Sequence, residues 1–318
     1  MQLTHTTQTM AKPKKTKKPV IDASYEPPQA CVYDWPLSFQ QATTRPYQTV
    51  TPLIEDQIYT LDRFFSSKVC DDLVRWFSSY IPSEDGGTAP SSTSSKGKKK
   101  SAGTATDAAA GKPQLEFSTT EMPPRKDYAA RVNDRAMAVD RVATRILWSI
   151  LKPALLPENG EEEEDDEDGR QIRDIFQDCI GLNENLRVYR YRAGHYFGQH
   201  YDEAVHVSVE DLTTDPAKPR LARGVTRWTM LVYLTGSDYG ELSGGATRFY
   251  PEIGVPIGAR SQGRLRQSSD GSKVLDVEVE KGTVLLHKHG EDCLLHEGAL
   301  VTSGNKWILR SDLVFPTK

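Results

Sequence analysis

No apolar stretch in this sequence approaches the roughly 18 residues that a membrane-spanning helix needs, and the N-terminal segment has no apolar core of the secretory-signal type. Cysteine is scarce. Cys31, Cys70, Cys179 and Cys293 are the four in the chain, spread too widely for a zinc knuckle and too thinly for a disulfide scaffold. A reducing compartment, cytosol or nucleus, is therefore expected, with no membrane partner. Basic charge is not in excess either: 40 Lys+Arg against 44 Asp+Glu give a net charge of -4, which is not the footprint of a nucleic-acid-binding domain. The basic run KPKKTKK at Lys12 to Lys18 reads as an import signal or as an ordinary solvated tail.

Three stretches lack what a core requires. Met1 to Pro28 is polar and Lys-rich. Ser83 to Lys112 has no Leu, Ile, Val, Met or aromatic residue, so burial cannot repay the entropy of ordering it. Pro157 to Arg170 holds the run EEEEDDED at Glu161 to Asp168, whose like charges repel. Setting these aside leaves about 246 of the 318 residues, enough for one good core. The expected organisation is a disordered basic tail at 1–28 and a single domain at 29–318 with disordered insertions at 83–112 and 157–170.

What is present divides in two. In the first half, VCDDLVRWF behind a Ser66/Ser67 cap repeats Val69, Leu73, Trp76 and Phe77 at helical spacing. A second helix is expected over roughly Asn133 to Leu151, with Met137, Val139, Val142, Ile146 and Ile150 as its apolar stripe and Pro153 as its stop. Both read as supporting core helices. From Leu186 the pattern changes to short β-type runs, LRVYRY, TMLVYL, ATRFY, VLDVEV, TVLLHK and WILRSDLVF, separated by turn residues. Helices first and strands after predict an α+β fold: an antiparallel barrel or double-sheet jelly roll with the helices on one face.

The chemistry concentrates in HYD, His200-Tyr201-Asp202. Strand alternation would point His200 and Asp202 the same way, offering one imidazole and one carboxylate. A second His from a distant strand would complete a two-His, one-carboxylate face that leaves neighbouring positions open on Fe(II). His296, in LLHEG, is the leading candidate; His287 and His289 are barely separated from it by sequence, while His5 lies in the tail and His195 and His206 flank HYD. A His-x-Asp pair alone is a weak signal, because most are turns or satisfied hydrogen-bonding pairs.

The surrounding residues are more specific. Tyr191, Gly194, His200 and Asp202 are followed by Tyr233-Leu234, then GGATRFY from Gly244 to Tyr250, then HEGALVTSGNKW with His296, Gly298, Lys306 and Trp307. In this order and spacing, over roughly Leu186 to Phe315, the chain resembles the prolyl 4-hydroxylase-like group of Fe(II)/2-oxoglutarate dioxygenases. The resemblance implies a double-stranded β-helix, or jelly roll, with His200, Asp202 and His296 holding Fe(II) at its mouth. It also implies 2-oxoglutarate and dioxygen as cosubstrates and a dependence on ascorbate. The far carboxylate of 2-oxoglutarate, buried in a barrel, needs a cation and hydroxyl donors. Lys306, ten residues past His296 and reached by a turn at Gly304, matches the family's anchor, with Arg310 on the same strand parity as competitor. Tyr191, Tyr233 and Thr247 are the hydroxyl candidates.

Substrate is less constrained. Phe197 stands three before His200, where collagen-type prolyl hydroxylases tend to have Tyr. In PPRKDYAARVND, Arg131 and Asn133 could form one wall of the mouth or serve only as capping and surface charge. A prolyl residue in a polypeptide is the first expectation. A free small molecule is the alternative within the same chemistry, and a non-catalytic jelly roll that binds partners is the alternative outside it.

Overall fold

The computed structural model describes residues 25–46, 48–81, 112–125, 129–157, 167–213, 220–251 and 274–317. Nearly all of the basic tail, the Ser83 to Lys112 stretch except Lys112, and most of the acidic run lie outside these residues. Tyr25 to Pro28 lie inside them: the Tyr25 hydroxyl accepts from Arg141 and the Pro28 carbonyl from Arg145.

In chain order the elements are α1 (Leu37–Gln40), β1 (Val50–Ile54), β2 (Ile58–Leu61), α2 (Ser67–Ser78), β3 (Ser118–Met122), β4 (Arg131–Val139), α3 (Arg141–Leu155), α4 (Glu167–Phe176), β5 (Gly181–Leu182), β6 (Asn185–Arg192), β7 (Tyr196–His200), β8 (His206–Glu210), β9 (Leu221–Tyr233), β10 (Leu242–Gly244), β11 (Thr247–Phe249), β12 (Leu275–Val277), β13 (Val284–Lys288), β14 (His296–Gly298) and β15 (Val301–Pro316). Every pairing between these strands is antiparallel.

Two four-strand sets define the architecture. One runs β6-β15-β9-β13 and the other β7-β14-β11-β12, so successive strands of the eight cross from one set to the other except from β11 to β12, the order of two nested Greek keys, which is the jelly roll. β4 pairs with both β6 and β7 and curls one set into the other along one side.

Strand alternation then sorts the side chains. Val188, Met230, Val232, Val284, Leu286, Trp307 and Leu309 join α2, α3 and α4 in one apolar cluster. Their neighbours along the same strands, Tyr189, Tyr191, Leu231, Tyr233, Leu285 and Ile308, face the barrel interior in a second cluster. The helices thus cover the outside of the β6-β15-β9-β13 set and leave its inner face for a pocket.

α2 begins as the sequence predicts, with the Ser66 hydroxyl accepting from the Val69 amide at 3.3 Å. Its Trp76 is half-buried, packed on Trp35 with ring centroids 4.8 Å apart, while Phe77 stacks on Trp307. The second helix differs from expectation in two ways. Asn133 to Val139 belong to β4, where Asp134, Ala136 and Ala138 point in and Arg135, Met137 and Val139 point out, a period of two. The helix starts only after Asp140, whose carboxylate caps the Val142 and Ala143 amides and also binds the Val32 and Tyr33 amides and the Trp35 indole. Its buried stripe is Ala143, Leu147, Ile150 and Leu151. Nor does Pro153 end it: the missing N–H leaves the Ser149 carbonyl without its helical donor, and the Thr44 hydroxyl supplies a substitute at 3.3 Å. α4 begins at Glu167, inside the stretch assigned to the acidic insertion.

Candidate metal and cosubstrate site

β7 and β14 are hydrogen-bonded neighbours in which His200 and His296 are directly opposed, bringing their rings to 4.2 Å. β7 ends at His200, so Asp202 lies in the following loop rather than on the strand, and its amide is held by the Cys293 sulfur at 3.3 Å. Both histidines spend Nδ1 on a backbone carbonyl: His200 on Gly198 at 2.8 Å and His296 on Leu294 at 2.9 Å. A carbonyl only accepts, so Nδ1 carries the proton and Nε2 presents a bare lone pair. The two Nε2 atoms lie 3.8 and 3.9 Å from the Asp202 carboxylate, and one donor atom from each of the three residues falls within 4.8 Å of the others.

The electrostatics suit a cation. Burial pulls the His200 pKa down to about 3, helped by the neighbouring His296, and burial likewise lowers His296, so both rings are neutral at pH 7. For Asp202 burial acts upward but is overridden, first by Arg310 and then by the imidazoles, and the carboxyl stays well below its usual range. Arg310 grips it with two donors, Nη1 to Oδ1 at 3.1 Å and Nη2 to Oδ2 at 3.0 Å, and the Thr229 hydroxyl donates to Oδ2 at 2.9 Å. Oδ1 keeps a second lone pair for a metal.

The other histidines now separate. Because Thr229 donates to Asp202, its oxygen accepts from His289 Nδ1 at 2.9 Å, and His289 Nε2 accepts from the Thr226 hydroxyl at 2.8 Å. Thr226 in turn accepts from the Val205 amide. His289 is a satisfied core residue with no lone pair to offer. His287 spends Nδ1 on the Lys288 carbonyl, while its buried Nε2 has no hydrogen-bond partner among the described residues and lies 3.8 Å from Asp202 Oδ2. His206 is exposed at the start of β8, and His195 is buried in the loop before β7.

Along β15, Lys306 and Arg310 share the inward face with Ile308, as their parity requires. The route there differs from expectation: the chain turns at Ala299 and Leu300, and β15 runs on through Gly304, a left-handed residue (φ 78°) whose Cβ would sit 2.0 Å from the Glu241 carbonyl. Lys306 is 2% exposed and makes no ion pair with a carboxylate among the described residues. Its ammonium donates to the Gly245 carbonyl, has Thr247 Oγ1 at 3.5 Å and lies over the rings of Tyr233 and Tyr191. Burial brings its pKa down to about 7. The Tyr233 hydroxyl shares a 2.7 Å hydrogen bond with Thr247, and burial raises the Tyr191 pKa to about 12, so both phenols are protonated donors.

One pocket of about 520 Å³ connects the two ends. His200, Asp202, His287 and His296 line it together with Tyr191, Thr247, Lys306 and Arg310, and Arg131, Tyr189 and Phe197 form a further wall. There the Arg131 guanidinium is stacked 4.6 Å from Phe197 and 5.0 Å from Tyr189, and Phe197 stacks on His200 at 3.6 Å. Asn133 is fully buried and accepts from Arg131 rather than entering the pocket.

No family model matches the chain, and no curated protein matches it. Among solved structures, the similar chains include prolyl hydroxylases and other 2-oxoglutarate-Fe(II) oxygenases. The viral collagen prolyl hydroxylase of Paramecium bursaria Chlorella virus-1, in complex with 2OG, is 18% identical over 82% of this chain and 97% of its own, with a TM-score of 0.36. The non-heme alpha-ketoglutarate-dependent carbocyclase SnoK from nogalamycin biosynthesis is 12% identical over 82% of this chain and 81% of its own, with a TM-score of 0.42. A Trichoplax adhaerens prolyl hydroxylase in complex with a hypoxia inducible factor peptide is 12% identical over 63% and 70%, with a TM-score of 0.34. Likenesses this distant carry no functional argument, so the chemistry rests on the residues.

Sequence reasoning named His200, Asp202, His296, Tyr191, Tyr233, Thr247 and Lys306, and all seven meet around this pocket. It missed Thr229 and Cys293, both in contact with Asp202. Thr229 was within reach, since it shares strand parity with Tyr233; Cys293, in an irregular segment, left no such trace.

Proposed function

We propose that this chain is an Fe(II)- and 2-oxoglutarate-dependent oxygenase in which His200, Asp202 and His296 hold the iron and Lys306 anchors the cosubstrate. The observation that carries the reading is the meeting, within one pocket, of two neutral imidazoles and a carboxylate with a buried ammonium that has no carboxylate partner among the described residues. An unneutralised buried cation is costly, and a dianionic ligand whose far carboxylate meets Lys306 removes that cost. Thr247, which lines the pocket and shares its hydrogen bond with the Tyr233 hydroxyl behind it, donates to the same carboxylate, with Tyr191 beside it.

When bound, the iron supplies oxidative decarboxylation of 2-oxoglutarate to succinate and carbon dioxide, coupled to hydroxylation of a substrate C–H bond. The chain contributes orientation and dryness. The carbonyls of Gly198 and Leu294 fix the tautomer and angle of both imidazoles, Arg310 and Thr229 fix the carboxylate, and Leu231, Ile308 and Tyr189 exclude water.

For the substrate we propose a prolyl residue in a polypeptide, on the sequence resemblance, with Arg131, Tyr189 and Phe197 as the wall it meets. The single-domain organisation with insertions, the ascorbate dependence and a cytosolic or nuclear setting belong to the same proposal. No helix among the described residues is long and apolar enough to cross a membrane. The test is substrate-independent turnover of 2-oxoglutarate by the iron-loaded full chain: succinate should form in proportion to bound iron, and iron-loaded protein that makes none would favour the non-catalytic binding module.

A further inference from the structure

We propose that His287, Cys293 and His296 form a second metal site, selective for a thiophilic ion such as Zn(II), that overlaps the iron site by sharing His296 and excludes iron while filled. The exclusion of iron rests on the functional reading above; the site itself does not. His287 stands on β13, His296 on β14, and Cys293 in the connection between them, just after the short helical turn Gly290–Asp292, so two strands and the loop that joins them converge. All three side chains are buried and their donor atoms fall within 4.8 Å of one another. The two imidazole rings are 4.6 Å apart and the Cys293 sulfur is 3.9 Å from the His296 ring at Nδ1.

An independent observation points to a ligand. His287 Nε2 is sealed in a residue 2% exposed and has no hydrogen-bond partner among the described residues, although buried polar atoms are almost always paired. It belongs to neither the Thr229-His289 chain nor the Lys306 end of the pocket. A metal ion beside Cys293 would occupy its lone pair.

The donor chemistry decides which ion. Two imidazoles and a thiolate make a softer set than two imidazoles and a carboxylate, and suit Zn(II) or Co(II) over Fe(II). The fourth, tetrahedral position is left to solvent, because the nearest carboxylate oxygen, Asp202 Oδ2, already accepts from Thr229 and Arg310. Without metal the thiol donates its proton to the Leu294 carbonyl at 3.4 Å. Binding transfers that proton to solvent and leaves a thiolate–metal bond, with no change of oxidation state. His296 cannot serve both ions, so filling one site empties the other.

The test uses the metal-free full chain and the metals alone. Zn(II)-loaded protein examined by X-ray absorption should show one sulfur neighbour at about 2.3 Å. Titration with Co(II) should produce a thiolate-to-cobalt charge-transfer band that persists in His200→Ala, vanishes in Cys293→Ser, and in His287→Gln needs more than about tenfold more metal. A zinc shell of nitrogen and oxygen only, or a cobalt band that survives Cys293→Ser, would overturn the proposal. The X-ray measurement needs no variant and so stands if a substitution misfolds. Failure of the iron reading looks different: the sulfur neighbour is found, but iron and 2-oxoglutarate give no succinate.

Discussion

Lys306 and Arg310 lie four residues apart on one face of one strand, both cationic and both buried, yet their surroundings are opposite. Arg310 is neutralised twice, by Asp202 and by Asp312, and Asp312 is also paired with Arg187. Among the described residues Lys306 meets a carbonyl, a hydroxyl and two aromatic faces, and feels the charge of the exposed Glu278 without an ion pair to it. A charge whose partners are all supplied by the chain is part of the scaffold, whereas one left without a partner is waiting for a ligand. The sequence offers both as anchors for 2-oxoglutarate; under the proposed function their neighbours favour Lys306 for that role, while Arg310 clamps the Asp202 carboxylate.

The largest effects should come at the metal end. His200→Ala, Asp202→Ala and His296→Ala are each expected to abolish both iron retention, read by elemental analysis, and succinate formation. Full activity in His296→Ala would hand the third ligand to His287, since His289 has no free nitrogen. Next comes Lys306→Ala, which removes one partner of a buried charge pair at a cost of about 3–5 kcal/mol. It should raise the KM for 2-oxoglutarate by roughly two to three orders of magnitude while iron stays bound.

A pH titration sharpens the contrast. Burial holds Lys306 near pKa 7, below its ordinary value, so above that pH the ammonium must be regained on binding an anion. Affinity for 2-oxoglutarate should be level below pH 7 and weaken by up to about tenfold per unit above it, until the pKa of the bound form is reached. The slope should vanish in Lys306→Ala. Arg310→Ala should change the KM for 2-oxoglutarate less than Lys306→Ala does. Its damage belongs elsewhere, a lower Tm and weaker iron retention, because Asp202 loses its main counter-charge. Smallest of all is deletion of Ser83 to Lys112, which should leave turnover within about a factor of two, since a segment without large apolar side chains contributes little to a core. Its one described residue, Lys112, makes an exposed pair with Asp34.

The jelly roll, and the gathering of His200, Asp202, His296 and Lys306 around one pocket, were legible because strand periodicity and the spacing of these residues are local properties of the chain. What escaped was set by tertiary contacts. Asn133 to Val139 carry enough Ala and Met to pass for helix, and only pairing with β6 makes Met137 and Val139 an outer face. Pro153 is tolerated because Thr44, over 100 residues away, supplies the missing donor. The choice between Lys306 and Arg310 likewise depended on Asp202 and Asp312 reaching one guanidinium and not the ammonium, which spacing along β15 does not encode.

One titration tests both ends of the pocket together: 2-oxoglutarate added without oxygen to Fe(II)-loaded full-length protein, followed by the visible charge-transfer absorption of iron chelated by the keto acid. A saturable band is expected at one iron per chain in the parent protein, the same band in Lys306→Ala only at roughly a hundredfold or more higher 2-oxoglutarate, and none in His296→Ala. Stoichiometric iron with no band in the parent protein, or equal midpoints for parent and Lys306→Ala, would contradict it.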